Sequence, residues 1–149
     1  MPRTPCIGIC STTYGDLVCR GCKRFAHEIT GWNGYAPEQR AAVWQRLRAL
    51  QAGATRHFID VDDPAVLARA LGVRMDADDA DAPALGAYDW LRRRAQVADS
   101  LANMSENAGL RLRGQINGHR ADTVLRLIDQ EFYARALAHY ERNFRTPAR

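Results

Sequence analysis

Apolar residues recur at helical spacing along four stretches of the chain, and these stretches predict four helices. In the first, the apolar stripe is Val43, Trp44, Leu47 and Leu50, and Pro37 suits the first turn. Gly53 is the expected stop of that helix. The predicted helices are Pro37–Ala52, a short one over residues 64–72 that begins after Asp62 and Asp63, and longer ones over 84–106 and 120–143.

Two segments are predicted strands. Residues 57–61 carry β-forming side chains, and residues 110–116 alternate apolar and polar side chains, which is typical of a half-buried strand. Residues 75–83 predict an acidic linker, residues 11–18 a hairpin tip around Gly15-Asp16, and Asn117-Gly118 a turn. The expected fold class is mainly α with a small two-stranded β element. An N-terminal four-cysteine module precedes the helices.

The length of 149 residues is in the range of one domain with a real core, and 46% hydrophobic with 26% charged residues is ordinary for a globular protein. We predict a four-cysteine module with its helix over residues 4–53 and a mainly helical region of unknown role over 54–149. That region either forms a second domain or packs as one unit with the first. No apolar run approaches the roughly 18 residues that cross a bilayer, and the N-terminus lacks the apolar core of a secretory signal. A cytoplasmic protein without membrane contact is therefore expected.

The net charge of +4 is divided unevenly along the chain. Residues 1–59 carry eight basic and three acidic side chains (+5), residues 60–90 two and eight (−6), and residues 91–149 eleven and six (+5). Of the 21 basic residues, 20 are arginine. Arginine suits phosphate contacts, but an arginine-for-lysine bias also follows from GC-rich coding, and this is the stronger interpretation of the composition alone.

All four cysteines of the chain lie within 17 residues, in the order Cys6-x3-Cys10-x8-Cys19-x2-Cys22. In a reducing compartment such clustering predicts metal ligands rather than two disulfides or four free buried thiols. Four thiolates can hold Zn²⁺ in a closed structural site, or an iron–sulfur cluster. The spacing leaves both open.

The order of these motifs resembles the bacterial family called domain of unknown function 1289. The residues that carry the resemblance are Pro5-Cys6-Ile7-Gly8-Ile9-Cys10, Cys19-Arg20-Gly21-Cys22-Lys23-Arg24, Glu28-Ile29-x-x-Trp32 and Glu38-x-Arg40-x-x-Val43. It covers about residues 4–50 and implies that the four cysteines are the ligands. Members are often labelled predicted Fe–S proteins, so the resemblance implies an iron–sulfur cluster as readily as zinc. The family implies no activity.

Nucleic-acid binding is a further hypothesis, because arginines and aromatic residues surround the second cysteine pair. The predicted contacts are Arg20, Lys23, Arg24 and Arg40, with Phe25, Trp32 and Tyr35 as stacking surfaces. No glycine-rich phosphate loop, nucleophile elbow or HExxH pattern indicates an enzyme. The expectation is a small metal-binding adaptor with an RNA or a protein partner; the alternative is an Fe–S electron-transfer or redox-sensing protein.

Overall fold

The computed structural model describes residues 4–114 and 120–144, which are mainly helical with one two-stranded antiparallel sheet, as predicted. Asn117-Gly118 and residues 115–116 of the predicted second strand lie outside the described residues. Within the described ranges, no helix is long and apolar enough to cross a membrane. The elements are α1 (Ala26–Gly31), α2 (Pro37–Phe58), β1 (Ile59–Val61), α3 (Pro64–Leu71), α4 (Ala82–Val97), α5 (Met104–Ala108), β2 (Leu110–Leu112) and α6 (Ala121–Phe144).

The chain divides into two compact units. Among the described residues, one unit holds 4–50 and 132–144, and the other holds 51–114 and 120–131. The four cysteines therefore share a unit with the last part of α6. The division into residues 4–53 and 54–149 stays a prediction.

Two apolar clusters form the core of the cysteine-containing unit. One consists of Val18, Phe25 and Ala136, with Leu50, Tyr133, Leu137 and Tyr140 packed around them. The other consists of Trp32, Val43 and Leu47, with Tyr35, Trp44 and Phe132 around them. The stripe predicted on α2 is thus confirmed, because all four of its apolar residues pack in these clusters.

Helix α2 does not stop at Gly53 but continues for five more residues to Phe58. Ala52, Ala54 and Thr55 are fully buried, and the Thr55 hydroxyl donates to the Gln51 carbonyl at 2.9 Å. Burial of these small side chains outweighs the roughly 1 kcal/mol by which glycine disfavours a helix interior. The predicted strand is shortened from residues 57–61 to Ile59–Val61 for the same reason.

In the second unit, β1 pairs with β2 in the register Ile59–Leu112, Asp60–Arg111 and Val61–Leu110. Helix α3 packs against both α4 and α5. Its predicted ends are confirmed: the Asp63 carboxylate accepts from the amides of Ala65 and Val66, and Gly72 ends the helix with φ of 68°.

The predicted helix over 84–106 is two helices, because the chain turns out of α4 at Asp99, whose φ is 51°. The Asp99 carboxylate accepts the Asp122 amide at 2.8 Å and pairs with Arg120. It therefore caps the N-terminus of α6 from outside that helix, where an anion is favoured. This long-range cap has no signature in the local sequence.

The acidic stretch 75–83 consists of turns rather than a featureless linker. The amides of Asp78 and Asp81 donate to the carboxylates of Asp76 and Asp79, at 2.9 and 3.0 Å. Arg56 bonds to Asp81 at 3.1 Å, and α4 already begins at the next residue. Short aspartate side chains that bond to backbone two residues on account for the turns.

The hairpin predicted around Gly15-Asp16 is wrong. Residues Ser11–Tyr14 form a short 3-10 helix that ends at Gly15, whose φ is 99°. The chain instead doubles back further on, where Val18 and Phe25 form an antiparallel bridge. This shift places the hairpin tip at the second cysteine pair.

Candidate metal centre

The second cysteine pair lies on the tight turn of this hairpin. The Cys19 amide donates to the Arg24 carbonyl at 2.9 Å, and the Lys23 amide donates to the Cys19 carbonyl at 2.8 Å. Lys23 adopts φ of 63°, a conformation that is uncommon for a residue with a side chain. The turn brings the thiols of Cys19 and Cys22 into hydrogen-bonding contact.

The segment that carries the first cysteine pair lies directly against this turn. A Cβ atom at Gly21 would lie 2.7 Å from the Ile9 carbonyl oxygen and 3.0 Å from Cγ1 of Ile7. Only glycine permits so close a backbone approach. The Arg20 amide also donates to the Ser11 hydroxyl at 2.8 Å. These contacts hold residues 7–11 beside the second cysteine pair.

Cys19 is almost completely buried, and its sulfur has backbone amides around it as hydrogen-bond donors. Burial raises the pKa of its thiol, but hydrogen bonds from the amides of Cys22, Ser11 and Gly21 outweigh it and bring the pKa down from 9.0 to about 7. Amide donors stabilise the thiolate because they point partial positive charge at the sulfur. The thiol itself is 3.6 Å from the Ile9 carbonyl oxygen. The backbone donors thus favour the deprotonated form of this sulfur, which is the form that binds metals.

The two cysteines of the first pair also have hydrogen-bond partners at their sulfurs. The Gly8 amide donates to the sulfur of Cys6 at 3.3 Å, and the sulfur of Cys10 lies 2.8 Å from the Thr12 hydroxyl. Cys6 is exposed and Cys10 half-buried. Such partners resemble the outer contacts that orient and stabilise metal ligands.

Cys22 has a charged partner. The Arg24 Nε–H donates to its sulfur at 3.3 Å. Burial raises the pKa of the Cys22 thiol, while the hydrogen bond and positive charge of Arg24 oppose that rise. In the metal-free chain the two cysteines of this pair therefore differ in acidity.

All four cysteines are thiols in this structure. Across residues 4–114 and 120–144, no group of three or more Cys, His, Asp or Glu is placed so that it could hold a metal ion. The donor set nevertheless fits a thiolate-bound metal, since each of the four sulfurs lies at hydrogen-bonding distance from an amide, hydroxyl or guanidinium group.

The structure separates the four residues predicted to contact nucleic acid. Lys23 and Arg24 are only 3% and 4% exposed, so they present almost no surface to a nucleic acid in this structure. Their role as contacts stays a prediction. Arg40 donates to the carbonyls of Trp32 and Asn33 at 3.1 and 3.3 Å. These three side chains are used inside the unit.

Arg20 is the exposed member of that set. Its Nε–H donates to Asp16 at 3.3 Å, and its guanidinium lies 4.6 Å from the ring centre of Tyr133. Phe25 and Trp32 are buried, so neither is a free stacking surface. The basic and aromatic residues that suggested a nucleic-acid surface therefore contribute mainly to the core.

A buried ion pair between Glu28 and Arg46 was not predicted from the sequence. The two side chains are 7% and 18% exposed, and Arg46 Nη1 donates to Glu28 Oε2 at 2.7 Å. Glu28 also accepts the Phe25 amide at 2.9 Å, and the guanidinium lies 4.0 Å from the Phe25 ring centre. The spacing Phe25-x-x-Glu28 hints at half of a capping box, but nothing local points to Arg46.

The fold and these sulfur environments define a small, cysteine-rich, mainly helical protein with a candidate metal centre near its N-terminus. Residues 4–51 match the model of the family described as Protein of unknown function (DUF1289). The match covers about a third of the chain and includes all four cysteines. No curated protein and no solved structure was found to match the chain.

Proposed function

We propose that Cys6, Cys10, Cys19 and Cys22 bind one metal centre, Zn²⁺ or an iron–sulfur cluster, that organises the N-terminal part of the chain. The observation that carries this proposal is the close approach of Ile9 to Gly21, which holds the segment with the first cysteine pair beside the turn with the second. The surroundings of the Cys19 sulfur support it, because backbone amides lower the pKa of that thiol from 9.0 to about 7. A ligand must be deprotonated to bind, so this environment lowers the free energy needed to form a thiolate near neutral pH.

The packing of residues 4–17 supports the proposal. None of these residues is fully buried, and Ile7 and Ile9 are 65% and 69% exposed. Apolar burial therefore contributes little to holding this segment against the Cys19–Cys22 turn. A structural Zn²⁺ contributes about 10–16 kcal/mol in small zinc-binding peptides, which is ample to fix such a segment.

The centre would serve a binding or adaptor module, since a closed four-thiolate site leaves no open position for substrate. The exposure of Cys6 favours a second candidate, electron transfer or redox sensing. If the centre is an iron–sulfur cluster, this ligand lies where a redox partner or oxidant could approach the centre. Nucleic-acid contact has less support, because Lys23 and Arg24 are buried.

Anaerobic purification of the full chain followed by metal analysis and absorption spectroscopy tests the proposal. We expect one centre per chain: stoichiometric zinc in a colourless protein, or iron and sulfide with visible absorption. Cys19→Ser should abolish it. Thr13→Val is the matched control, because Thr13 is exposed and is not among the sulfur partners described above, so the variant should retain the centre.

The opposite result would be an intact, metal-free chain that takes up neither Zn²⁺ nor a cluster on reconstitution. Unchanged compactness of the N-terminal unit after chelation would also count against the organising role.

A further inference from the structure

Arg24 is a buried cation beside the second cysteine pair. A guanidinium keeps its charge at all accessible pH values, and removing a charge from water is costly unless a counter-charge accompanies it. Arg46, the other largely buried arginine of this unit, has Glu28 as such a partner. Among the residues that the structure describes, no Asp or Glu bonds to Arg24, although only 4% of the residue is exposed.

The contacts of Arg24 lie at the second cysteine pair of the candidate metal centre. Its Nε–H donates to the sulfur of Cys22 at 3.3 Å, and its guanidinium lies 4.8 Å from the ring centre of Trp32. Trp32 is itself buried and packs with Val43 and Leu47, so the ring is a fixed platform. The stacking directs the Nε edge of the guanidinium to the sulfur rather than to solvent.

We propose that Arg24 is a positioning residue that neutralises and orients the Cys22 ligand of a negatively charged thiolate centre. The inference rests on the proposed function and deepens it. Four thiolates around Zn²⁺ leave a net negative charge, as four thiolates around a small cluster also do. The charge of Arg24 and that of the centre thereby compensate each other in a region of low dielectric, where their attraction is strongest.

Metal affinity of the full chain tests the role of the charge. In a reduced, metal-free sample titrated with Co²⁺ and followed by thiolate-to-cobalt absorption, Arg24→Met should weaken binding about 10- to 100-fold, as loss of an outer contact to a ligand does. Arg24→Lys keeps the charge and should restore most of the affinity. Arg24→Gln keeps an N–H donor without the charge and should not.

Arg40→Met is the matched control. The Arg40 guanidinium also lies over the Trp32 ring, at 5.7 Å, but its hydrogen bonds go to the carbonyls of Trp32 and Asn33 and not to a sulfur. It should lower stability without a selective loss of Co²⁺ affinity. Equal losses in the Arg24→Met and Arg40→Met proteins would reduce Arg24 to a packing residue and overturn the inference.

A second readout separates charge compensation from packing. With metal bound, Arg24→Met should lower the urea midpoint of unfolding. Without metal it should leave the midpoint unchanged or raise it, because the buried cation then lacks the negative charge of the centre. A loss of the same size in both states refutes the inference. If the unsubstituted chain takes up neither Co²⁺ nor, on reconstitution, an iron–sulfur cluster, the proposed centre itself fails, and that result is read before any variant is made.

Discussion

The buried Glu28–Arg46 pair predicts a large loss of stability for a substitution that changes hardly any volume. Glu28→Gln replaces one carboxylate oxygen with an amide nitrogen. The amide oxygen can still accept the Phe25 amide, so the start of α1 keeps its acceptor. What is lost is the negative charge that faces the guanidinium of Arg46.

The magnitude follows from the burial of both partners. Removing one member of a buried ion pair costs about 3–5 kcal/mol, because the remaining charge is left without compensation. Arg46 keeps 18% of its side chain exposed, and part of its charge can be hydrated. We therefore expect the lower end, about 3 kcal/mol. Its Nε–H already has no hydrogen-bond partner among the described residues, which limits relaxation within the site.

Urea unfolding of the full chain at fixed metal content, followed by circular dichroism and tryptophan fluorescence, measures this loss. Glu38→Gln is the matched control: the same chemical change at an exposed residue in the first turn of α2 should cost less than about 1 kcal/mol. The double variant Glu28→Gln with Arg46→Met should recover most of the lost stability, because it leaves no unpaired charge.

Two results would refute this reasoning. One is a change below about 1 kcal/mol for Glu28→Gln, which would mean that solvent screens the pair as it does a surface salt bridge. The other is a double variant whose loss equals the sum of the two single losses, which would mean that the charges are not coupled.

Two other predictions concern the same unit. Gly21→Ala should destabilise it by about 1–3 kcal/mol, because the new Cβ would lie 2.7 Å from the Ile9 carbonyl oxygen. Gly34→Ala, which has open space around it, should change the free energy of unfolding in urea by less than about 1 kcal/mol. Similar losses in the two variants would contradict the close approach. Burial, with the charge of Arg46, lowers the pKa of His139 below 6.5 in the folded chain, so the unfolded chain binds more protons as pH falls through 6.5. The free energy of unfolding of the metal-free protein should therefore fall from about pH 7.5 to about 5.5, and it should fall less in the His139→Gln protein. The same pH dependence in both proteins would show that His139 does not contribute.

Helices could be predicted where the apolar periodicity agrees with the packing that the chain adopts. Val43 and Leu47 were expected to face inward and do so, and Asp63 and Gly72 delimit α3 as their types suggest. The prediction fails where distant contacts decide, as at Gly53, which tertiary burial keeps in a helix. It also fails at Asp99, which leaves α4 to cap α6.

For the candidate site, the sequence showed which residues could be ligands, because four thiols at short spacing are the donors that a structural zinc site or an iron–sulfur cluster uses. It could not show the sulfur environments. The donors to Cys19 include Ser11, eight residues earlier in the chain, and the approach of Ile9 to Gly21 links two separate loops. Such contacts depend on how the loops fold together rather than on residue type.

The sequence by itself determined the fold class and the apolar face of α2, and it singled out the four cysteines as candidate ligands, since these depend on local periodicity and on side-chain chemistry. Only the tertiary structure decided what the basic residues do. Arg24 and Arg40 are both arginines near an aromatic residue, a pattern that suits a surface or a core equally well. The position of the Trp32 ring and the Cys22 sulfur places Arg24 in the core, because burial is a property of the folded chain.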